Sequence, residues 1–167
     1  ESMAKDLQEN AQADSFAKNL CVVTGEEGEE DASVTAEAAA AFGIDTKEVI
    51  FQKNPFERLY PASITKIMTT LVALEHSTMD ETVTFSYDSV FSLDTGSSII
   101  GGVNPGDTMS MKDVLYGIMI CSGNEAAYAA AEHVGGSIPA FVDMMNTRAA
   151  EIGCTDTHFE NPHGLPN

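Results

Sequence analysis

Between Pro61 and Gly153, apolar residues recur at helical spacing in short runs closed by serine or glycine, and this pattern constrains the fold most. Ile64, Ile67, Met68, Leu71 and Val72 fall at i, i+3, i+4, i+7 and i+8, which predicts a helix introduced by Pro61 with one continuous inward stripe. Ser110, with Asp113 three residues on, forms a capping-box pattern ahead of Val114, Leu115, Ile118 and Met119, and Ser122-Gly123 ends that run. A further helix is expected from about Glu125 to Val134, stopped by Gly135-Gly136. The last starts near Pro139 and turns Phe141, Met144, Met145 and Ile152 inward as far as Gly153.

Strand texture is sparser. Ala38 to Ile44 and Val49-Ile50-Phe51 read as two strands joined by the polar turn Asp45-Thr46-Lys47-Glu48, and Val83 to Phe85 as a short third. Asp94 to Gly106 is rich in glycine and serine and reads as a loop with a turn at Asn104-Pro105-Gly106. No internal repeat is present. The expected class is α/β in the α+β sense, helices segregated from a small antiparallel sheet.

The 167 residues amount to about one domain, and an apolar share of 43% suffices for a core. Against 26 acidic residues stand 8 basic ones, a formal charge of −18 that argues against nucleic acid as a partner. Residues 1–35 form an acidic N-terminal tail, in which Gly25-Glu26-Glu27-Gly28-Glu29-Glu30-Asp31 is a solvated run and residues 4–20 a candidate amphipathic helix through Leu7, Ala11, Phe16 and Leu20. No apolar run approaches the roughly 18 residues of a membrane span. Nor does Glu1 open a secretory signal, so the chain is expected to be cytosolic or to have shed an export signal.

Cys21, Cys121 and Cys154 show no Cys-x-x-Cys spacing, and a Cys21–Cys154 bridge stays open as one arrangement. His76, His133, His158 and His163 lack zincin spacing, so neither a metal nor a cofactor is expected.

Reactive chemistry begins at Ser63 and Lys66. Three residues apart at the start of a helix, their side chains share one face. A serine hydroxyl attacks only after a base removes its proton, and lysine serves as that base once burial or positive potential destabilises its ammonium. The helix N-terminus also favours an oxyanion formed beside Ser63. The same Ser-x-x-Lys spacing at Ser2–Lys5 and Ser15–Lys18 shows how little it means alone, and on spacing alone Ser63 reads first as an ordinary helix cap. Ser122-Gly123-Asn124 breaks one helix and opens another, placing a hydroxyl and a carboxamide on a tight turn. Ser122 suits proton relay and Asn124 suits a peptide carbonyl or the lysine, although the same residues also make ordinary helix–helix turns.

Together, Tyr60-Pro61-Ala62-Ser63-Ile64-Thr65-Lys66-Ile67-Met68-Thr69, Ser122-Gly123-Asn124-Glu125-Ala126-Ala127 and Asn161-Pro162-His163-Gly164-Leu165-Pro166 resemble the serine-type D-alanyl-D-alanine carboxypeptidases, the low-molecular-mass penicillin-binding proteins. The resemblance covers about Ala36 to Asn167. It implies a penicillin-binding-protein/β-lactamase-like transpeptidase fold, here a helical subdomain plus the first β-hairpin of an incomplete antiparallel sheet. Ser63 would attack the D-Ala-D-Ala carbonyl, Lys66 accept its proton, Ser122 return a proton to the leaving D-alanine, and Asn124 position the substrate. The implied partners are peptidoglycan stem peptides and β-lactam antibiotics, and the implied location is the outer face of a bacterial cell envelope or beyond.

One family motif is missing. No Lys-Thr-Gly or close variant follows Ser122. By the resemblance that strand supplies a carboxylate-binding lysine and part of the oxyanion hole. Residues 36–167 are therefore expected to be the N-terminal portion of the catalytic domain, poorly folded alone or completed by a C-terminal polypeptide carrying the missing strands. The alternatives are a non-catalytic fragment or peptidoglycan-binding module and, less well matched, a β-lactamase, for which no water-activating group can be named. Asp94-Thr95-Gly96-Ser97-Ser98 resembles an aspartic-protease signature, but that chemistry needs two carboxylates and one copy is present. His163 and His158-Phe159 read as structural, satisfying backbone groups near the hairpin, and Tyr60 and Tyr116 as core or cleft lining.

Overall fold

A computed structural model describes residues 34–46, 48–93 and 96–166. Residues 1–33 of the acidic tail, with its expected helix, its two Ser-x-x-Lys pairs and Cys21, lie outside the described residues, as do Lys47, Asp94, Thr95 and Asn167. The chain divides into two compact units, one ending at Tyr60 and one built on Pro61–Asn167.

In the unit ending at Tyr60, β1 (Ala39–Phe42) and β2 (Val49–Lys53) form an antiparallel hairpin, with a register shift at Ala41/Phe42. β1 stops short of the expected Ile44 because the Gly43 N–H donates to the Glu48 carbonyl at 2.9 Å and closes the turn first. β2 runs past Phe51 because Gln52 and Lys53 still find partners in Ala40 and Ala39. Lys53 Nζ donates to the Val34 carbonyl at 2.7 Å and Asn54 Nδ2 to the Glu37 carbonyl at 2.6 Å, tying the entering chain to the hairpin. Ile44, Ile50 and Phe56 remain exposed, so backbone pairing rather than a core orders this element.

The second unit is helical. A 3-10 turn (Ala62–Thr65) leads into α1 (Lys66–His76), followed by β3 (Thr82–Thr84), α2 (Tyr87–Phe91), β4 (Thr108–Ser110), α3 (Met111–Cys121), α4 (Asn124–Gly135) and α5 (Ile138–Glu151). β3 and β4 pair antiparallel through Thr82–Ser110, Val83–Met109 and Thr84–Thr108. Ser86, Ser110 and Ser137 each accept a backbone N–H in the first turn of α2, α3 and α5, as N-caps do. At Ser110 the expected capping box takes a variant form, the Asp113 carboxylate accepting the Ser110 hydroxyl at 2.7 Å. Short α2 and β4 escaped the sequence reading because elements of five and three residues carry no measurable period.

At the centre lies α4. Ala126, Ala127, Ala129, Ala130 and Ala131 are all fully buried, and small side chains around most of a helix let neighbours approach from several sides. Val83, Phe85, Met111, Val114 and Ile118 form the core on one side, and Val72, Phe141, Met145 and Ala149 on the other. Gly135 brings α4 against α5, since a Cβ there would lie 2.7 Å from the Phe141 nitrogen. α1 and α5 are joined by Arg148, whose Nη2 and Nε lie 2.8 and 3.0 Å from one oxygen of the buried Glu75.

Two expectations need correction. The stripe of the first helix begins at Met68, because Ile64 lies in a 3-10 turn and falls out of α-helical phase. Ile64 and Ile67 are 67% and 58% exposed, and Met119, expected inward on α3, is 51% exposed. Ile64, Ile67 and Met119 face one open depression instead of the core.

Candidate active site

Ser63 lies inside the 3-10 turn and Lys66 begins α1. Residues i and i+3 eclipse at three residues per turn, so Lys66 Nζ donates to Ser63 Oγ at 3.1 Å. Ser63 caps nothing: neither the turn nor α1 has a side-chain cap bond. Lys66 is only 2% exposed, and its burial lowers the ammonium pKa below the usual 10.5, partly opposed by the negative charge of Glu125. The residue before Ser63 is held in the left-handed region, Ala62 having φ 49°. That conformation costs about 1–2 kcal/mol and persists only where neighbours dictate it.

The neighbour is the segment Asn161–Leu165. Lys66 Nζ makes a second bond to the His163 carbonyl at 3.1 Å, and one turn on, Thr69 Oγ1 donates to the Pro162 carbonyl at 2.6 Å. Asn161 Oδ1 accepts the N–H groups of His163 and Gly164 at 3.2 and 2.6 Å, and Leu165 N–H donates to His163 Nδ1 at 3.0 Å. The His163 ring stacks on Tyr128 with centroids 5.1 Å apart. Gly164 has φ 83°, and a Cβ there would run into the Ala62 carbonyl. Burial first and the Lys66 charge second lower the His163 pKa to about 4, so the ring stays neutral.

Ser122 supplies the opposite wall. α3 ends on it in the left-handed region, φ 56°, and α4 begins at Asn124. Ser63, Lys66 and Ser122, with Ile67 and Met119, line one open depression of about 300 Å³. Asn124 is not part of that lining; it is 2% exposed, and its Oδ1 is buried without a hydrogen-bond partner. Lys66 directs its bonds to Ser63 and His163 and makes none to Asn124, so the lysine alternative for Asn124 is not realised.

The structure thus gathers Ser63, Lys66 and Ser122 around one space and sets Asn124 apart from it. Thr69, Tyr128 and Glu125 were missed as site neighbours, since each reads in sequence as an ordinary helix residue. His163 does satisfy a backbone group, that of Leu165, while His158 is exposed. Tyr60 and Tyr116 are exposed rather than core. Among the described residues, no cluster of His, Cys, Asp or Glu could hold a metal ion, and no helix is long and apolar enough to cross a membrane.

The family model described as D-alanyl-D-alanine carboxypeptidase, peptidase family S11, matches residues 25–167. D-alanyl-D-alanine carboxypeptidase DacF of Bacillus subtilis is 40% identical over 145 residues, covering 84% of this chain and 37% of the relative. The solved structure of the carboxypeptidase DacD of Francisella tularensis is similar with a TM-score of 0.73 at 33% identity, over 87% of this chain and 37% of that one. Penicillin-binding protein 5 of Haemophilus influenzae gives 0.73 at 30% identity, over 84% and 42%. The chain therefore spans about a third to a half of the length of the curated relatives it matches. Its helices and small antiparallel sheets are part of the fold of these peptidases. By sequence and by structure, the chain belongs to the D-alanyl-D-alanine carboxypeptidase family of serine peptidases.

Proposed function

We propose that this chain carries the acylating centre of a D-Ala-D-Ala carboxypeptidase that trims peptidoglycan stem peptides at the cell envelope. The observation that supports this reading is the buried Lys66 ammonium 3.1 Å from Ser63 Oγ, at the edge of a depression shared with Ser122.

Lys66 as the free amine takes the Ser63 proton while Oγ bonds to the carbonyl carbon of the penultimate D-alanine. The tetrahedral oxyanion collapses, the C–N bond breaks, and the departing D-alanine amine receives its proton from Lys66 through Ser122. Water then attacks the Ser63 ester, giving the shortened peptide acid and restoring the hydroxyl. A β-lactam follows the first half of this course: its ring amide opens on Ser63 and the ester remains. Asn124 is 2% exposed and outside the depression's lining, so for it to position the substrate amide the Ser122–Asn124 turn must open towards the bound peptide. Strands with a Lys-Thr-Gly motif, contributed by a C-terminal polypeptide, complete the carboxylate and oxyanion sites.

Intact-mass spectrometry before and after benzylpenicillin, with the adduct mapped by digestion, tests the reading. The expected result is one penicilloyl adduct on Ser63, absent from Ser63→Ala. A folded sample that takes no adduct, with the partner strands supplied, would move the chain to a non-catalytic, peptidoglycan-binding role.

A further inference from the structure

We propose that Glu125 is a positioning residue for acylation: its carboxylate clamps the Ser98–Gly101 segment onto the start of α4 and so fixes the Ser122–Asn124 turn at the rim of the depression. The inference rests on the acyl-serine reading above and adds a residue to it.

Glu125 is 3% exposed, and its Oε1 accepts the backbone N–H groups of both Ile100 and Gly101, at 2.7 and 3.1 Å. Beside it, Asn124 N–H donates to the Ser98 carbonyl at 2.9 Å. These bonds lace the segment to the first turn of α4, where a carboxylate is also favoured by the helix dipole.

The Ile100 side chain continues the clamp. A Cβ on Gly117 or Gly123 would stand 2.7 or 2.8 Å from Ile100 Cγ2, so the two glycines that bracket Ser122 form the seat for this one side chain. Gly123 N–H closes that seat on the Gly117 carbonyl at 3.0 Å. Ser122 keeps its left-handed backbone, φ 56°, inside this packing. Strained non-glycine conformations survive where surroundings over-determine them, and Glu125 supplies the polar part of that constraint.

The clamp needs an acceptor oxygen at this reach, which an apolar side chain lacks. The second oxygen of Glu125 is buried without a partner, a cost an apolar side chain would avoid. What the clamp secures is position. Ser122 Oγ must reach the leaving nitrogen, and displacement by about 1 Å is enough to cost about a hundredfold in rate.

The test measures the second-order rate of acylation by a fluorescent penicillin and the hydrogen-exchange protection of the Ile100 and Gly101 amides, in the assembled enzyme. Glu125→Ala is expected to lose protection at both amides and to acylate at least about tenfold more slowly. Glu125→Gln keeps an acceptor oxygen at the same reach, and is expected to restore protection and to acylate within about threefold of the parent. Glu125→Asp keeps the charge but shortens the reach, and is expected to resemble Ala; it decides the matter where Ala does not fold. Parent-like acylation in Ala or Asp with both amides open overturns the proposal. So does slow acylation in Gln with both amides protected, since the clamp would then not govern reactivity. A parent enzyme that never acylates at Ser63 refutes the acyl-serine reading itself, a result distinct from either.

Discussion

The two turns that frame the depression are built on opposite terms. At Ser63 the neighbouring polar groups are matched: Lys66 to Ser63 and to the His163 carbonyl, Thr69 to Pro162, Asn161 to two backbone N–H groups. At the Ser122 turn, Asn124 Oδ1 and Glu125 Oε2 are buried and unmatched. The first turn is preorganised, its hydroxyl and amine already in contact. The second buries two acceptor oxygens that no protein donor among the described residues meets, and it carries the cost of their desolvation.

The largest effect expected from breaking this asymmetry is at Lys66. A guanidinium does not deprotonate, so Lys66→Arg keeps the positive charge and loses the amine proposed above as the base. Acylation is expected to fall by roughly 10²–10⁴-fold. Ser122→Ala is expected to fall by a smaller factor, because Lys66 still lies against Ser63. Initial rates of penicilloyl-adduct formation measure both. Equal losses would mean that the proton leaves Ser63 by way of Ser122, and the first turn would not be self-sufficient.

A smaller effect separates the turns by stability. Thr69→Val strands the buried Pro162 carbonyl and is expected to cost about 1–3 kcal/mol, at about 2–4 °C of melting temperature per kcal/mol for a chain of this size. Asn124→Leu removes an acceptor that has no partner, and its melting temperature is expected to stay level or rise while acylation falls. Thermal unfolding of the two variants reads the contrast directly. A drop in Asn124→Leu as deep as that in Thr69→Val would show Asn124 to be bonded as firmly as its counterpart.

How much of this was legible in the sequence depends on the range of the cause. Ser110, Ser122-Gly123 and Gly135-Gly136 act through local backbone chemistry, and the helix limits at these stops follow them closely. The Ser63–Lys66 contact was legible too, because a three-residue spacing joins side chains within one turn. Ile64, Ile67 and Met119 were misread, since periodicity locates an apolar face without saying whether core or cleft lies opposite. The partners of Lys66 and Glu125 lie 97 and 25 residues away, beyond any local pattern. Glu125 in particular reads as a favourable acid in the first turn of a helix; only the placement of Ile100 and Gly101 shows what it holds.

The finest contrast concerns pH, because the matched turn contains a titratable ring and the unmatched one ends in an amide. His163 accepts the Leu165 N–H at Nδ1, so its own proton sits on Nε2 and the folded ring is neutral. Burial, followed by the charge on Lys66, depresses its folded pKa from 6.5 to about 4. The sign follows from which state binds the proton. Above pH 6.5 the ring is neutral folded and unfolded, and its contribution is fully present. As pH falls from 6.5 towards 4, the unfolded ring takes up a proton that the folded ring refuses, and stability is lost across that window. Below about 4 both forms are protonated and the loss levels off. Carboxylates add their own slopes, so the informative quantity is the difference between the parent and His163→Asn. Asparagine keeps an acceptor near the Nδ1 position and does not titrate. Melting temperatures from pH 7 to pH 4 should therefore fall more steeply in the parent, and the two curves should converge towards the acid end. Curves that stay parallel throughout would mean that the folded ring accepts its proton as readily as the unfolded one.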